Sequence, residues 1–175
     1  MTSPALVTTD IDNNARLRLL RTLMGELFQA ERSAEAHCQR EARRYAKDIS
    51  ATALWGICRQ ARGTIARLDE LAEARGFEVA RRGTMLGSLY SSIREAIADR
   101  FLSAERSWRA TLLGLRHGVD VVVSLRLVAD ALDDAVLVNF CDELLRQRTP
   151  LVKEVENTLW WFAEHPARAV AAARA

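Results

Sequence analysis

Apolar side chains recur at intervals of three and four residues along four long segments of the chain. This spacing places them on one face of an α-helix and predicts amphipathic helices that bury that face. The composition favours the same structure, because only eight glycines and three prolines interrupt 175 residues in which good helix formers dominate. We therefore expect one all-α domain. The four segments cover residues 15–47, 51–75, 104–131 and 135–164.

The connections between these segments differ in length. Asp48 or Ser50 offers an N-cap to the second helix after a short turn, and Asp133 or Asp134 does the same for the fourth. Gly76, which is expected to end the second helix, opens a long connection instead. These lengths predict two antiparallel helix pairs joined by one crossover. The crossover carries its own short apolar stripe of Leu86, Leu89, Tyr90, Ile93 and Ile97.

Prolines mark the last part of the chain. Pro150 lies inside the fourth segment and predicts a kink between Arg146 and Thr149, because its ring removes one backbone hydrogen bond. Pro166 is expected to end the helix just after Glu164. The resulting organisation is an N-terminal arm over residues 1–13, a helical bundle over 14–165 and a C-terminal tail over 166–175.

Acidic and basic residues nearly balance at a formal net charge of +2, so no nucleic-acid or membrane partner is expected. The basic run around Arg44, with Glu41 interleaved, is typical of a solvated helix face. The three cysteines are far apart and fall on apolar stripes, which favours buried thiols over a disulfide or a metal site. Residues 1–14 lack the charged start and apolar core of a leader, so we expect a cytoplasmic protein.

Two stretches, "GELFQAERSAEAH" in the first predicted helix and "TLLGLRHGVDVVV" in the third, together with the helix order, are similar to the ferritin-like superfamily. The chain resembles most its small bacterial, stress-associated branches, over residues 15–164. The resemblance implies a ferritin-like four-helix bundle with a long crossover between helices 2 and 3. Catalytic members of that superfamily hold two iron or manganese ions with one Glu from each of two helices and a Glu-x-x-His from each of the other two.

The chain contains no Glu-x-x-His pair. On the second predicted helix, Ala61 and Thr64 occupy the positions where such a pair would face inward. On the fourth, Arg148 and Leu151 take the corresponding places, and the cation would repel a metal. We therefore predict no di-metal centre and no cofactor. The residues three positions before the histidines are Ala34, Gly114 and Phe162.

Glu31, on the first predicted helix, is the residue that matches the superfamily's single-Glu position. A carboxylate that faces a helical core is costly unless a cation or several hydrogen bonds accompany it. Arg116, His117 and Arg148 are the candidate partners. We expect Glu31 to take part in a core ion pair or hydrogen-bonded network.

Two alternatives use other residues. Glu31 with Glu35, and His117 with Asp120, are four and three residues apart, so these two pairs on facing helices are compatible with a mononuclear metal site. Such a site would make the protein an iron-handling protein or a metal-dependent oxidase. The second alternative is a small-ligand binder whose site lies in the bundle core. Its lining residues would be Thr64, Tyr90, His117 and Cys141.

We favour a non-catalytic helical module that acts through self-association. Trp160 and Trp161 are neighbours, and neighbours on a helix point about 100° apart. One is predicted to enter the core while the other covers its edge or joins an interface, where tryptophan is enriched. A homodimer is the expected assembly.

Overall fold

The computed structural model describes residues 4–47, 49–77 and 103–172, with side chains from Asp12 onward. Over these ranges the regular secondary structure is helical and contains no strand, which confirms the predicted all-α class. The helices are α1 (Pro4–Arg44), α2 (Thr52–Glu73), α3 (Ala104–Asp130), α4 (Ala135–Asn157), α5 (Leu159–Glu164) and α6 (Pro166–Ala169).

The four long helices pack in a ring. Helix α1 contacts α2 and α3, and α4 contacts the same two helices, so α1 and α4 face each other across the centre. Short connections make α1–α2 and α3–α4 antiparallel hairpins. The other two neighbouring pairs are antiparallel as well, because their contacts run in opposite order along the two chains. The defining contacts are Ala30–Gly118 and Glu41–Ser107 for α1 and α3, and Gly56–Leu151 and Gln60–Gln147 for α2 and α4.

The inward faces of the helices form two apolar clusters, one towards each end of the four-helix assembly along the helix axes. The lower cluster joins the first half of α1 to the ends of α2 and α3 and the start of α4. The upper cluster joins the opposite ends of the same helices and includes Phe162 of α5. Removing this apolar surface from water is the main favourable term in folding. Fully buried members include Met24, Leu68, Leu125 and Leu137 below, and Leu54, Ile57, Trp108 and Leu112 above.

Side-chain caps fix the starts of α3 and α4. Ser103 accepts from the backbone N–H of Arg106 at 3.4 Å, and Asp134 accepts from that of Leu137 at 3.0 Å. Asp134 also receives two hydrogen bonds of 2.7 Å from Arg75, which ties the end of α2 to the start of α4. The predicted Asp134 cap is therefore confirmed. Gly76 has φ +66°, the left-handed conformation predicted after α2.

The first two helices differ from the prediction in three ways. Helix α1 begins at Pro4, whereas the sequence predicted its start near residue 15. Leu17, which the apolar spacing of the first segment assigns to the inward face, is 42% exposed, because the ring of neighbouring helices covers α1 only from about Leu20 onward. Helix α2 has Ala51 at its N-cap with no side-chain hydrogen bond, and the Ser50 hydroxyl bonds that of Thr52 instead.

The other cap candidate of the fourth helix, Asp133, lies in the turn before it with φ +55° and is not the N-cap, which is Asp134. The Asp48 candidate, and the helix containing Leu86, Leu89, Tyr90, Ile93 and Ile97, lie outside the described residues.

The fourth segment, predicted as one helix over residues 135–164 with a kink near Pro150, is divided into α4 and α5. Helix α4 continues through Pro150, and the interruption lies at Thr158, where the side-chain hydroxyl bonds the Glu154 carbonyl at 3.2 Å. Such a bond to the preceding turn competes with the helical backbone pattern. The tail is docked, since the Ala104 N–H donates to the Ala171 carbonyl at 2.9 Å.

The two neighbouring tryptophans differ in exposure, but neither enters the core as predicted, since Trp161 is only partly buried against the upper cluster. Trp161 stacks on His165 with 4.4 Å between ring centroids and meets Phe162 edge to face, whereas Trp160 is 75% exposed. Tyr45, Trp108 and Phe162 continue this aromatic contact into the upper cluster, with centroids 5.6 to 5.9 Å apart. Within the described residues, no helix combines the length and the apolar character needed to cross a membrane.

Candidate functional site

Glu31 lies in the centre of the ring, and its residue surface is only 1% exposed. The same 3.6-residue stripe that buries Leu27 and Ala34 on either side brings this carboxylate inward. A carboxylate at this depth requires a partner that replaces its lost hydration. Its position between the two apolar clusters makes it the first residue of the candidate site.

Arg148 of α4 supplies that partner from across the ring. Its Nη1 donates to Oε1 of Glu31 at 3.0 Å and its Nη2 donates to Oε2 at 2.6 Å. Arg148 is itself 3% exposed. The contact is a bidentate, charge-assisted pair in which the planar guanidinium matches the carboxylate. It joins the two helices that are not neighbours in the ring.

Gln60 of α2 completes the arrangement. Its Oε1 accepts from Nε of Arg148 at 2.5 Å, and its Nε2 donates to the Leu144 carbonyl at 3.5 Å and to Oε1 of Gln147 at 3.3 Å. Every nitrogen of the Arg148 side chain therefore has a hydrogen-bond acceptor. A buried pair is tolerated only when its remaining polar atoms are satisfied in this way.

The residues around the pair correspond closely to the sequence prediction. Ala61 and Thr64 are buried on α2 as predicted. Of the three cations considered for Glu31, Arg148 is the partner, whereas Arg116 pairs with Glu156 at 2.7 Å on the surface. Gln60 was not predicted. Its position next to Ala61 on α2 was the available signal, because a polar side chain at the margin of a stripe can reach the core.

The residues proposed for a mononuclear metal site do not come together. The Glu35 carboxylate accepts a hydrogen bond from Nε of Arg62 at 2.5 Å. His117 is half-buried on α3, and Asp120 is exposed. Across the described part of the chain, no three His, Cys, Asp or Glu side chains are grouped closely enough to hold a metal ion. At Glu31 itself, both carboxylate oxygens already bind a guanidinium, and a second cation there would meet like charge. The donor set does not fit a metal centre.

The residues proposed for a core ligand site are also dispersed. Thr64 lines a groove between α2 and α4, whereas Cys141 belongs to the lower apolar cluster. His117 lies on α3 and does not line that groove. Tyr90 is outside the described residues.

Most of the basic run near Arg44 is exposed as predicted, but Glu41 within it belongs to a second buried polar cluster. Glu41 is only 2% exposed, and its Oε1 accepts from Arg44 at 2.7 Å and from the Ser107 hydroxyl at 2.8 Å. Among the described residues, Oε2 of Glu41 and the Tyr45 hydroxyl have no hydrogen-bond partner. Burial raises the pKa of the Glu41 carboxyl, and the Arg44 guanidinium and Ser107 offset part of that rise.

The signal for this cluster was the periodicity itself. Glu41 follows Cys38 by three residues and precedes Tyr45 by four, so it continues the inward stripe of α1. The surrounding charges masked it.

The three cysteines are buried and unpaired in disulfides, as predicted. Burial raises the pKa of all three thiols, and that of Cys141 reaches about 12. Since the thiolate is the nucleophile and the metal ligand, these residues act as small apolar groups at neutral pH.

Comparison of the chain with known protein families, with curated proteins and with solved structures finds no match in any of the three. The site geometry therefore carries the functional argument by itself.

Proposed function

We propose that the protein is a non-catalytic, ferritin-like helical bundle in which a buried ion pair occupies the place that metal ions take in catalytic members of the superfamily. The single observation that carries this proposal is the bidentate contact between Arg148 and Glu31 at the centre of the ring. The guanidinium neutralises the carboxylate and connects α1 to α4, which is the structural role of a central cation.

The ferritin-like topology in this proposal rests on directions and connections. All four neighbouring helix pairs are antiparallel, and the chain passes from α2 to α3 over residues 74–103. An up-and-down bundle requires three short connections, whereas one long crossover between two hairpins is the ferritin-like arrangement.

Metal analysis of purified protein tests the absence of a metal centre. We expect no stoichiometric iron or manganese, and no change in melting temperature when Fe²⁺, Mn²⁺ or a chelator is added, because a ligand that binds only the folded state would raise it. The proposal fails if about one or two ions per chain are recovered and are lost in the Glu31→Gln variant.

We further propose that the protein acts as a cytoplasmic homodimer. Trp160 is 75% exposed, and α3 presents Leu113 and Leu127 with 55% and 59% exposure. Large exposed apolar residues of this kind are typical of interfaces. Sedimentation velocity should give the mass of two chains, and Trp160→Ser should shift the protein toward the monomer. A monomer at all concentrations would contradict this part of the proposal.

A further inference from the structure

A groove of about 540 Å³ runs along the surface between α2 and α4. Its volume falls within the range of small-molecule sites. The α2 wall carries Arg59, Gly63 and Arg67, with Gly63 about one helical turn from each arginine. Gly63 has no described atom within 4 Å of where a Cβ would stand. The missing side chain at Gly63 leaves the middle of the groove open.

The two arginines give the groove a positive rim. Arg59 and Arg67 are exposed, and among the described residues neither makes an ion pair or hydrogen bond. They stand about 12 Å apart along the helix axis. The acidic residue of the lining, Glu143, is held by three hydrogen bonds from Arg146 at 2.7 to 3.0 Å. The unneutralised charge of the groove is therefore positive.

The rest of the lining is apolar or an uncharged hydrogen-bonding group. Phe140 is half-buried and Leu144 is buried, and together with Val136 they form the α4 wall. Asn139 and Gln147 add side-chain amides on the same helix. An apolar wall opposite two cations is complementary to a molecule with an apolar body and an acidic group.

We propose that this groove binds a small amphipathic organic anion, with its acidic group at Arg59 or Arg67 and its apolar body over Gly63, against Phe140 and Leu144. The site is separate from the buried Glu31–Arg148 pair and goes beyond the structural role proposed above. Its floor is connected to that pair through Gln60, which lines the groove and accepts from Arg148.

Fluorescence titration of the full chain with anilinonaphthalene sulfonate tests the proposal. We expect saturable binding that decanoate displaces, whereas decanol, with the same chain length and no charge, displaces it roughly tenfold less effectively, since a charge-assisted hydrogen bond is lost. The Arg59→Gln/Arg67→Gln double variant should bind roughly tenfold more weakly. The matched control is Arg43→Gln/Arg106→Gln, which removes two exposed arginines outside the groove and should leave the affinity unchanged.

The Gly63→Leu variant separates binding from folding. A leucine there would fill the groove, and it should also raise the melting temperature, because glycine is a poor helix former and nothing described obstructs the new side chain. We expect a more stable protein that no longer binds the probe. The proposal is overturned if both arginine pairs weaken binding equally, or if Gly63→Leu binds normally. It is also overturned if the groove variants change the sedimentation coefficient while the probe never binds, which would assign the groove to a contact between copies of the chain.

Discussion

Glu31 and Arg148 form a buried ion pair, and either charge left buried without its partner would destabilise the folded state. Removing one partner should therefore lower the free energy of unfolding much more than removing both. In the Arg148→Met variant the Glu31 carboxylate stays buried without a cation, and we expect a loss of about 3–5 kcal/mol. The Glu31→Leu/Arg148→Met double variant replaces the pair with apolar groups of similar volume. It should recover most of that loss. Urea unfolding followed by circular dichroism measures the wild type, the single variants Arg148→Met and Glu31→Leu, and the double variant.

The surface pair of Arg116 with Glu156 provides the control for this cycle. Arg116 is 52% exposed at its side chain, so Arg116→Gln should change the unfolding midpoint very little. If the two single substitutions at the buried site add up to the loss in the double variant, the two side chains do not interact energetically and the cycle contradicts the interpretation.

Glu41 should make stability fall as pH rises. Its folded pKa is raised by burial, so near its ordinary value of 4.5 the folded state holds a proton that the unfolded chain has lost. This contribution is fully present below the unfolded pKa and is lost as pH increases through the folded pKa. Glu41→Gln removes the titration and keeps an oxygen for Arg44 and Ser107. The free energy of unfolding of the variant should therefore increase relative to that of the wild type as pH rises above 4.5.

Glu143 is the control with the opposite sign. Hydrogen bonds from Arg146 and Gln147 lower the pKa of this exposed carboxyl. Its contribution to stability is present above the unfolded pKa and is lost as pH falls through the folded pKa. The decrease in the free energy of unfolding caused by Glu143→Gln should therefore be largest at neutral pH. Urea midpoints at a series of pH values give both differences. Parallel pH profiles for wild type and Glu41→Gln would show that Glu41 has an ordinary pKa.

At this scale the helical period predicted most of the buried positions, except where charged neighbours masked the stripe, as at Glu41, and at Leu17, which precedes the buried part of α1. The inward position of Glu31 and the small residue at Ala61 follow from spacing alone. The choice of Arg148 over Arg116 or His117 did not, because it depends on the rotation of α4 about its own axis, which the packing of all four helices determines. Glu41 was missed because a mixed-charge run resembles a solvated face.

Among the helices, Asp134 has two functions that can be measured separately. It caps α4 through Leu137 and holds Arg75 at the end of α2. Asp134→Ala removes both, and we expect a loss of about 2 kcal/mol in the free energy of unfolding. Asp134→Asn keeps an oxygen for the cap and should cost about half as much. Equal losses in the two variants would mean that the ion pair alone accounts for the effect.

Helix boundaries were predictable where a cap or a left-handed glycine marks them. The start of α3 at Ala104 and the turn before α4 agree with the sequence prediction, because Ser103 and Asp134 act locally. The end of α4 at Asn157 was not predictable. Pro150 was predicted only to kink the helix, and the interruption occurs at Thr158, where α5 turns to place Phe162 against Tyr45 and Trp108. Contacts between distant segments determine that boundary, and local propensity does not record them.

Over the whole molecule, the two apolar clusters should unfold together, because all four long helices run through both and the Glu31–Arg148 pair lies between them. Each cluster has its own probe. The four tryptophans lie in or beside the upper cluster, whereas Cys141 lies in the lower one. Burial raises the pKa of the Cys141 thiol to about 12, so its alkylation below pH 9 should require unfolding.

Urea unfolding should therefore give one midpoint for tryptophan fluorescence and for pulsed alkylation of Cys141, with the modified cysteine identified by peptide mass spectrometry. Cys38 and Cys58, in the upper cluster, serve as internal controls and should be labelled at the same urea concentration. Labelling of Cys141 well before the fluorescence change would show that the lower cluster opens independently. The central ion pair would then separate two cooperative units instead of joining them.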